Sequence, residues 1–183
     1  FARWYAQAGT PELICELKYD PTAKAATLTV NQRLSPAPGQ PKKEPLYIPL
    51  RLGLLGPNGH DLTLQLDNGQ TLENGVVAVT ARTQSFKFVN TPARPVPSLL
   101  RGFSAPVNLT IDMQEADLAF LMMHDSDLFN RWQAANQYAT RTILAGLEAP
   151  DAIGSAAKSY AAALAAALSD PGLDEAYKAE LLK

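Results

Sequence analysis

The sequence predicts an antiparallel β-sandwich of the immunoglobulin or fibronectin kind, followed by an antiparallel α-helical segment. Three observations carry this expectation. Apolar residues recur at every second position before about residue 112 and at helical spacing after it. Twelve of the 14 prolines and eight of the 11 glycines lie before residue 111. Residues 1–112 carry 11 basic and eight acidic groups, whereas residues 113–183 carry five basic and 10 acidic ones. The three signals place a domain boundary near residue 112, giving a sandwich domain over 1–112 and helices over 113–183.

The strands read in order. Leu13, Cys15, Leu17 and Tyr19 share one face, with Glu16 and Lys18 on the other. Leu28, Val30 and Leu34 alternate with Thr27, Thr29 and Arg33, and Leu46, Ile48, Leu50, Leu52 and Leu54 make the longest apolar face. Leu62, Leu64 and Leu66 follow the turn Gly56-Pro57-Asn58-Gly59, and Asp67-Asn68-Gly69 supplies another turn, since Asn and Gly accept positive φ at little cost. Val76–Thr80, Phe86 with Phe88, Leu99–Phe103, and Val107 with Leu109 and Ile111 complete about eight short strands. One polar face per strand implies two antiparallel sheets packed face to face. Pro36, Pro38, Pro41 and Pro45 mark a long connection, and Pro49 within a strand pattern belongs at an edge or a bulge, because proline has no N–H for the ladder. Gly53, Gly56 and Gly59 read as turn glycines.

The helices follow. Asp112 and Glu115 have capping-box spacing, and Leu118, Leu121 and Met122 then share a face. Asp125 or Ser126 is placed to cap a second helix in which Leu128, Trp132, Ala135 and Ala139 align. Pro150 opens a third, with Ile153, Tyr160, Leu164 and Leu168 at helical spacing; nine of the 17 residues from Ala152 to Leu168 are alanine, the best helix former. Asp170-Pro171 begins a fourth helix with Leu173, Tyr177 and Leu181. Short links between the helices suggest an antiparallel layer.

Composition excludes several function classes. With 46% hydrophobic and 19% charged residues the 183-residue chain is globular rather than disordered. A net charge of −2 leaves no electrostatic footprint for nucleic acid. No apolar run approaches the roughly 20 residues of a membrane-spanning helix. The single cysteine, Cys15, excludes an internal disulfide framework and suits the cytoplasm; on an apolar strand face it reads as a small core residue rather than a nucleophile. H-E-x-x-H, G-x-S-x-G, a Walker loop and a dinucleotide-binding glycine fingerprint are all missing from the sequence. His60 and His124 cannot by themselves complete an all-nitrogen zinc site. The densest polar cluster, His124-Asp125-Ser126-Asp127, is read as a helix stop and restart: its residues are adjacent, whereas a triad converges side chains from separated segments.

Three further features stand out. Phe1, Trp4 and Tyr5 are either core or an aromatic anchor for a preceding domain. Arg101 is a charge in the apolar run Leu99–Phe103; it either pairs with a carboxylate at a domain contact or faces outward from a sheet. The chain opens at Phe1 without a methionine or signal-peptide pattern and ends at Leu182-Lys183 in helical rhythm without a glycine cap, so it is expected to be a piece of a longer protein.

Four runs carry a family resemblance: Phe1-x-Arg3-Trp4-Tyr5-x-Gln7-Ala8-Gly9-Thr10-Pro11, Pro45–Leu54, Pro95–Val107, and Leu118–Trp132, with Leu168-x-Asp170-Pro171-x-Leu173-Asp174 beyond them. In these the chain resembles the bacterial aminopeptidase N family of zinc metallopeptidases (gluzincins), over nearly its whole length. The resemblance implies a parent hydrolase that removes N-terminal residues from peptides with zinc as cofactor. It also implies that the H-E-x-x-H helix, the glutamate ligand and the G-A-M-E-N substrate loop precede this segment, so no catalytic, cofactor-binding or metal-binding residue is assigned here and the chain should be inactive alone. Its expected partners are the catalytic domain and the remaining helices of the same polypeptide, with peptides as substrates of the parent. The expected role is a structural spacer and the start of a helical cap. Two other readings compete: a free-standing sandwich that binds peptides or proteins by strand addition, and a small hydrolase built on His124 and a carboxylate.

Overall fold

A computed structural model describes residues 2–149 and 153–182 of the chain. Two compact units result: residues 1–57 with 61–112, and residues 113–183 with the short loop 58–60. The expectations for Phe1, for Pro150 as a helix opener and for Lys183 fall outside the described residues.

The first unit is a β-sandwich. Its strands are β1 (Glu12–Asp20), β2 (Ala25–Arg33), β3 (Ile48–Leu55), β4 (Gln65–Leu66), β5 (Val76–Val79), β6 (Thr83–Val89), β7 (Val96–Leu99) and β8 (Asn108–Ile111). They form a five-stranded sheet in the order β4-β6-β2-β1-β8 and a three-stranded sheet in the order β5-β3-β7. β1 and β2 pair antiparallel from Glu12↔Arg33 to Asp20↔Ala25, which brings Cys15 opposite Val30 and Leu17 opposite Leu28. This register points the alternating apolar set inward: Leu13, Leu28, Val30, Ile48 and Leu50 are fully buried together with Val79. Each such side chain contributes about 1.5–3 kcal/mol by leaving water. One pairing departs from the all-antiparallel expectation, since β8 runs parallel to β1.

β3 explains its own proline. Among the named strands, residues 48–51 pair with β5 and residues 52–55 with β7. Pro49 lies in a singly paired stretch, where a missing N–H costs no second ladder bond. Two expectations need correction nearby. Gly53 is not in a turn but inside β3. The run Leu99–Phe103 is not a strand: β7 ends at Leu99 and the chain turns through a short 3₁₀ segment at Arg101–Phe103. Leu100 (φ 60°), Gly102 (φ 61°) and Phe103 (φ 51°) all take left-handed backbone there, which ends the extended pattern despite apolar side chains. Leu62 and Leu64 also lie outside a strand, although Leu64 is buried.

A short helix, α1 (Ala2–Ala6), precedes the sandwich. Trp4 packs partly against the core and its indole N–H donates to the Tyr47 carbonyl at 2.8 Å. Tyr5, by contrast, is 91% exposed.

The second unit holds α2 (Glu115–His124), α3 (Leu128–Glu148), α4 (Ile153–Leu168) and α5 (Glu175–Glu180). Leu118, Leu121 and Met122 are buried on one face of α2, as the spacing predicts. The starts of the helices differ from expectation. Gln114, not Asp112, is the residue before the first turn of α2, which places Glu115 too early to close a capping box. α3 is capped by Asp127, whose carboxylate accepts from the Asn130 N–H at 3.0 Å, rather than by Asp125 or Ser126. α5 is capped by Asp174 through the Tyr177 N–H, rather than starting at Asp170-Pro171. The buried face of α3 is also rotated from the expected one: Arg131, Ala134, Ala135, Tyr138 and Thr142 are buried, whereas Leu128 is 45% exposed. α4 buries Ala163 and Ala167 rather than its larger residues, because small side chains let a neighbouring helix approach closely. Among the described residues no helix is long and apolar enough to cross a membrane.

Candidate functional site

The polar cluster at residues 124–127 sits at the junction of α2 and α3. His124 is the last residue of α2, its ring 4.7 Å from that of Phe120. Gly59 lies against the same ring, so close that a Cβ there would stand 2.8 Å from Nδ1. Burial lowers the His124 pKa first, and the positive charges of Arg131 and His60 lower it further against the opposing carboxylate of Asp170. Asp125 is 1% exposed; one of its oxygens accepts the Asp127 N–H at 3.0 Å. The Asp127 carboxylate caps α3. Both acids therefore serve the backbone at a chain reversal, the use the sequence assigns to them.

Arg131 organises this junction from the first turn of α3. It is 5% exposed, donates from Nε to the Met122 carbonyl at 2.8 Å, and pairs through Nη2 with Asp170 at 2.9 Å. Asp170 also accepts the Gly172 N–H. That bond first, and Arg131 second, hold its carboxyl below the ordinary value of 3.8. Tyr177 of α5 donates its hydroxyl to the Leu128 carbonyl at 2.7 Å, and burial pushes its pKa up to about 12. The result is a tie between three helices and the loop before α5. Sequence reasoning missed it, because Asp170 followed by proline reads locally as a helix start.

Arg101 forms the second polar centre, within the sandwich unit. It donates two bonds of 2.8 Å to the carboxylate of Asp61 and one of 2.8 Å from Nε to Ser98 Oγ. Its guanidinium lies directly over Gly53, where an added Cβ would come within 2.2 Å of it. Of the two readings open for Arg101, a carboxylate pair is the one found, but within one unit rather than at a domain contact. A cleft of about 320 Å³ opens beside the pair, bordered by Arg51, Asp61, Glu73, Asn74 and Arg101. Two arginines and two acids are among its lining residues, the bidentate pair included.

The only cysteine is 5% exposed on β1, where burial pushes the thiol up to about 12. At neutral pH it is a protonated side chain in the core. Among the described residues no group of three or more His, Cys, Asp or Glu side chains is arranged to hold a metal ion. The donors that come nearest, His124 and its neighbours, are packed on Phe120 and Gly59 or engaged with backbone N–H groups. Among the described residues the donor set therefore does not fit zinc.

The sequence also gave no hint of Lys43, which is 4% exposed and reaches the Ala8 carbonyl at 2.7 Å and Gln40 Oε1 at 2.5 Å. A lysine in a proline-rich connection has no local signal for burial.

Comparison with known proteins matches this geometry. A family model described as "Domain of unknown function (DUF3458) Ig-like fold" matches residues 9–112, and "Domain of unknown function (DUF3458_C) ARM repeats" matches residues 115–183. Aminopeptidase N of Caulobacter vibrioides is 43% identical over 183 residues, all of this chain and 20% of the relative. Aminopeptidase N of Escherichia coli is 42% identical over 135 residues, 74% of this chain and 15% of the relative. A crystal structure of Legionella pneumophila aminopeptidase A in complex with aspartic acid superposes with a TM-score of 0.74 at 30% identity, covering 100% of this chain and 19% of that one. The chain thus spans 15–20% of the length of the curated relatives it matches. With an Ig-like sandwich leading into ARM-type helices, and with sequence identity along its whole length, the chain belongs to the DUF3458 family and is homologous to a segment of aminopeptidase N.

Proposed function

We propose that this chain is a non-catalytic framework of an aminopeptidase N-type enzyme, with the sandwich as a spacer and the helices as the start of a cap over an active site carried elsewhere in the parent polypeptide. One observation carries the reading: a relative named aminopeptidase N aligns with the entire chain at 43% identity, yet the alignment occupies 20% of that relative. The chemistry of the chain supports it. Asp125 and Asp127 serve the start of α3, the buried Arg131 pairs with Asp170, and the thiol is held protonated.

In this reading residues 1–112 and 113–183 are two domains, supported by the bounds of the two family matches. The parent is a zinc hydrolase that trims the N-termini of peptides, and its zinc lies outside this chain. No catalytic, metal or cofactor residue belongs to these 183 residues. A reducing compartment, the cytoplasm, suits a single buried thiol. The catalytic domain and further helices are the partners. An exposed apolar stripe on α3 supports the second of these: Ile143 (59%), Leu144 (55%) and Leu147 (74%) face outward at helical spacing, and ARM-type helices bury such faces on the next repeat.

A spacer acts on rate through position, since a displacement of about 1 Å at reacting atoms costs on the order of 100-fold. The competing reading, peptide capture by strand addition, fits poorly: the edge strands β4, β5, β7 and β8 have only two to four residues each. The test is made in the parent enzyme. Replacing residues 1–112 by a flexible linker should change the ratio of rates on long and short peptides, and an unchanged ratio would overturn the spacer role.

A further inference from the structure

We infer that residues 3–8 form a polar strap, pinned by Lys43, that fixes the direction in which the polypeptide enters the sandwich. α1 buries no residue, so apolar packing does not hold the segment in place apart from the partial contact of Trp4. Hydrogen bonds to residues 40–47 do so instead. Arg3 donates to the Pro45 carbonyl at 2.7 Å and Trp4 to that of Tyr47 at 2.8 Å. Gln7 bonds Glu44 in both directions, donating to its carbonyl at 2.9 Å and accepting its N–H at 2.6 Å. Gln40 does the same for the end of the helix, donating to the Ala6 carbonyl at 3.0 Å and accepting the Ala8 N–H at 2.9 Å. Of the residues that carry the family resemblance at this end, Arg3, Trp4, Gln7 and Ala8 are those that make these bonds.

Lys43 is the pin. Its main-chain carbonyl accepts from Arg82, which ties it to the sandwich, while its ammonium donates to the Ala8 carbonyl of the strap and to Gln40 Oε1, itself bonded to the strap. The acceptors are neutral, and the ammonium is buried. A buried charge with too few acceptors is strongly unfavourable. Losing the Ala8 carbonyl would leave the ammonium with one acceptor, so the strap is either closed with all its bonds or released as a unit with Lys43 in water. The carbonyls past the end of α1, which no helical N–H satisfies, are the ones a cation at that end suits. A polypeptide joined ahead of Ala2 would leave the sandwich in one direction. That this orients a catalytic domain rests on the framework reading; the strap itself does not.

The experiment uses the 183-residue chain with a nitroxide label on a Tyr5→Cys variant. Position 5 is 91% exposed, and buried Cys15 stays unlabelled at neutral pH. A closed strap gives a motionally restricted spectrum and a slowly exchanging Ala8 amide. Lys43→Met should free the label and speed Ala8 exchange by roughly tenfold or more, the effect of losing hydrogen bonds to a charged donor, while the Leu28 and Phe86 amides of the β2–β6 ladder stay protected. Gln7→Ala, at a solvent-accessible position, should give the same outcome and serves if Lys43→Met does not fold. A label as mobile in the Tyr5→Cys chain with the strap intact as in the variants, or an unchanged Ala8 exchange rate in both variants, would overturn the strap.

Discussion

Gly53→Ala is the sharpest local perturbation the sandwich offers. Gly53 has an ordinary strand backbone, so conformation does not demand glycine. Space does: the new methyl would stand 2.2 Å from the guanidinium of Arg101, which must then leave. Three bonds of 2.8 Å go with it, two to Asp61 and one to Ser98. The Arg101 side chain is 11% exposed and that of Asp61 39%, so the pair is only partly shielded from solvent. Bonds of this kind contribute about 1.5–3 kcal/mol when desolvated, and screening brings the expected loss to about 2 kcal/mol. Replacing a strand glycine by alanine returns about 0.5–1 kcal/mol. Gly53→Ala should therefore destabilise the sandwich by about 1–1.5 kcal/mol in the native background and be neutral or mildly stabilising in an Arg101→Ala background. The coupling in a double-mutant cycle should be about 2 kcal/mol. Urea unfolding read by pulse labelling of Cys15 reports the sandwich unit selectively, because that thiol is the only one in the chain and is buried in β1. Costs that add to within about 0.5 kcal/mol in the two backgrounds would refute the assignment of Gly53 to the Arg101 seat.

Two pH predictions follow from shifted groups. The Cys15 pKa rises from 9.0 to about 12 on folding, so between those values the unfolded chain releases the thiol proton and the folded chain keeps it. Stability of the sandwich should fall with rising pH in that window, by about 1.4 kcal/mol per pH unit; Cys15→Ala should remove this slope in alkaline urea titrations. The carboxyl of Asp170 is depressed below 3.8, so its contribution is complete above that value and is lost as pH falls through the lower folded value. Acid unfolding followed by helical circular dichroism should lose this limb in Asp170→Asn, and an unchanged acid limb would count against the Arg131–Asp170 tie.

The fold was legible wherever one period dominated. The pairs Leu13/Cys15 and Leu28/Val30 turned inward because strand alternation left no competing face. Leu118, Leu121 and Met122 did so on α2 because three apolar residues at helical spacing fix the buried side. Local pattern failed where tertiary bonds overrode it. Leu99–Phe103 is apolar enough for a strand, yet the chain takes left-handed backbone at Leu100 while seating Arg101 on Asp61. α3 turned its buried face toward Arg131, because that side chain closes the end of α2 and meets Asp170. At the polar centres, the helix stop at 124–127 was readable from its residue types, whereas for Arg101 a carboxylate partner was only one of two open readings and was placed at a domain contact rather than within the sandwich unit. Lys43 was not readable, because its burial depends on a segment 35 residues away.

The central claim is that these residues supply framework and no chemistry. Its most direct test is the purified 183-residue chain, shown to be folded, titrated with zinc by calorimetry and incubated with an aminoacyl anilide. The account predicts no stoichiometric zinc binding and no release of aniline above the uncatalysed rate. One zinc ion bound per chain together with turnover would contradict it.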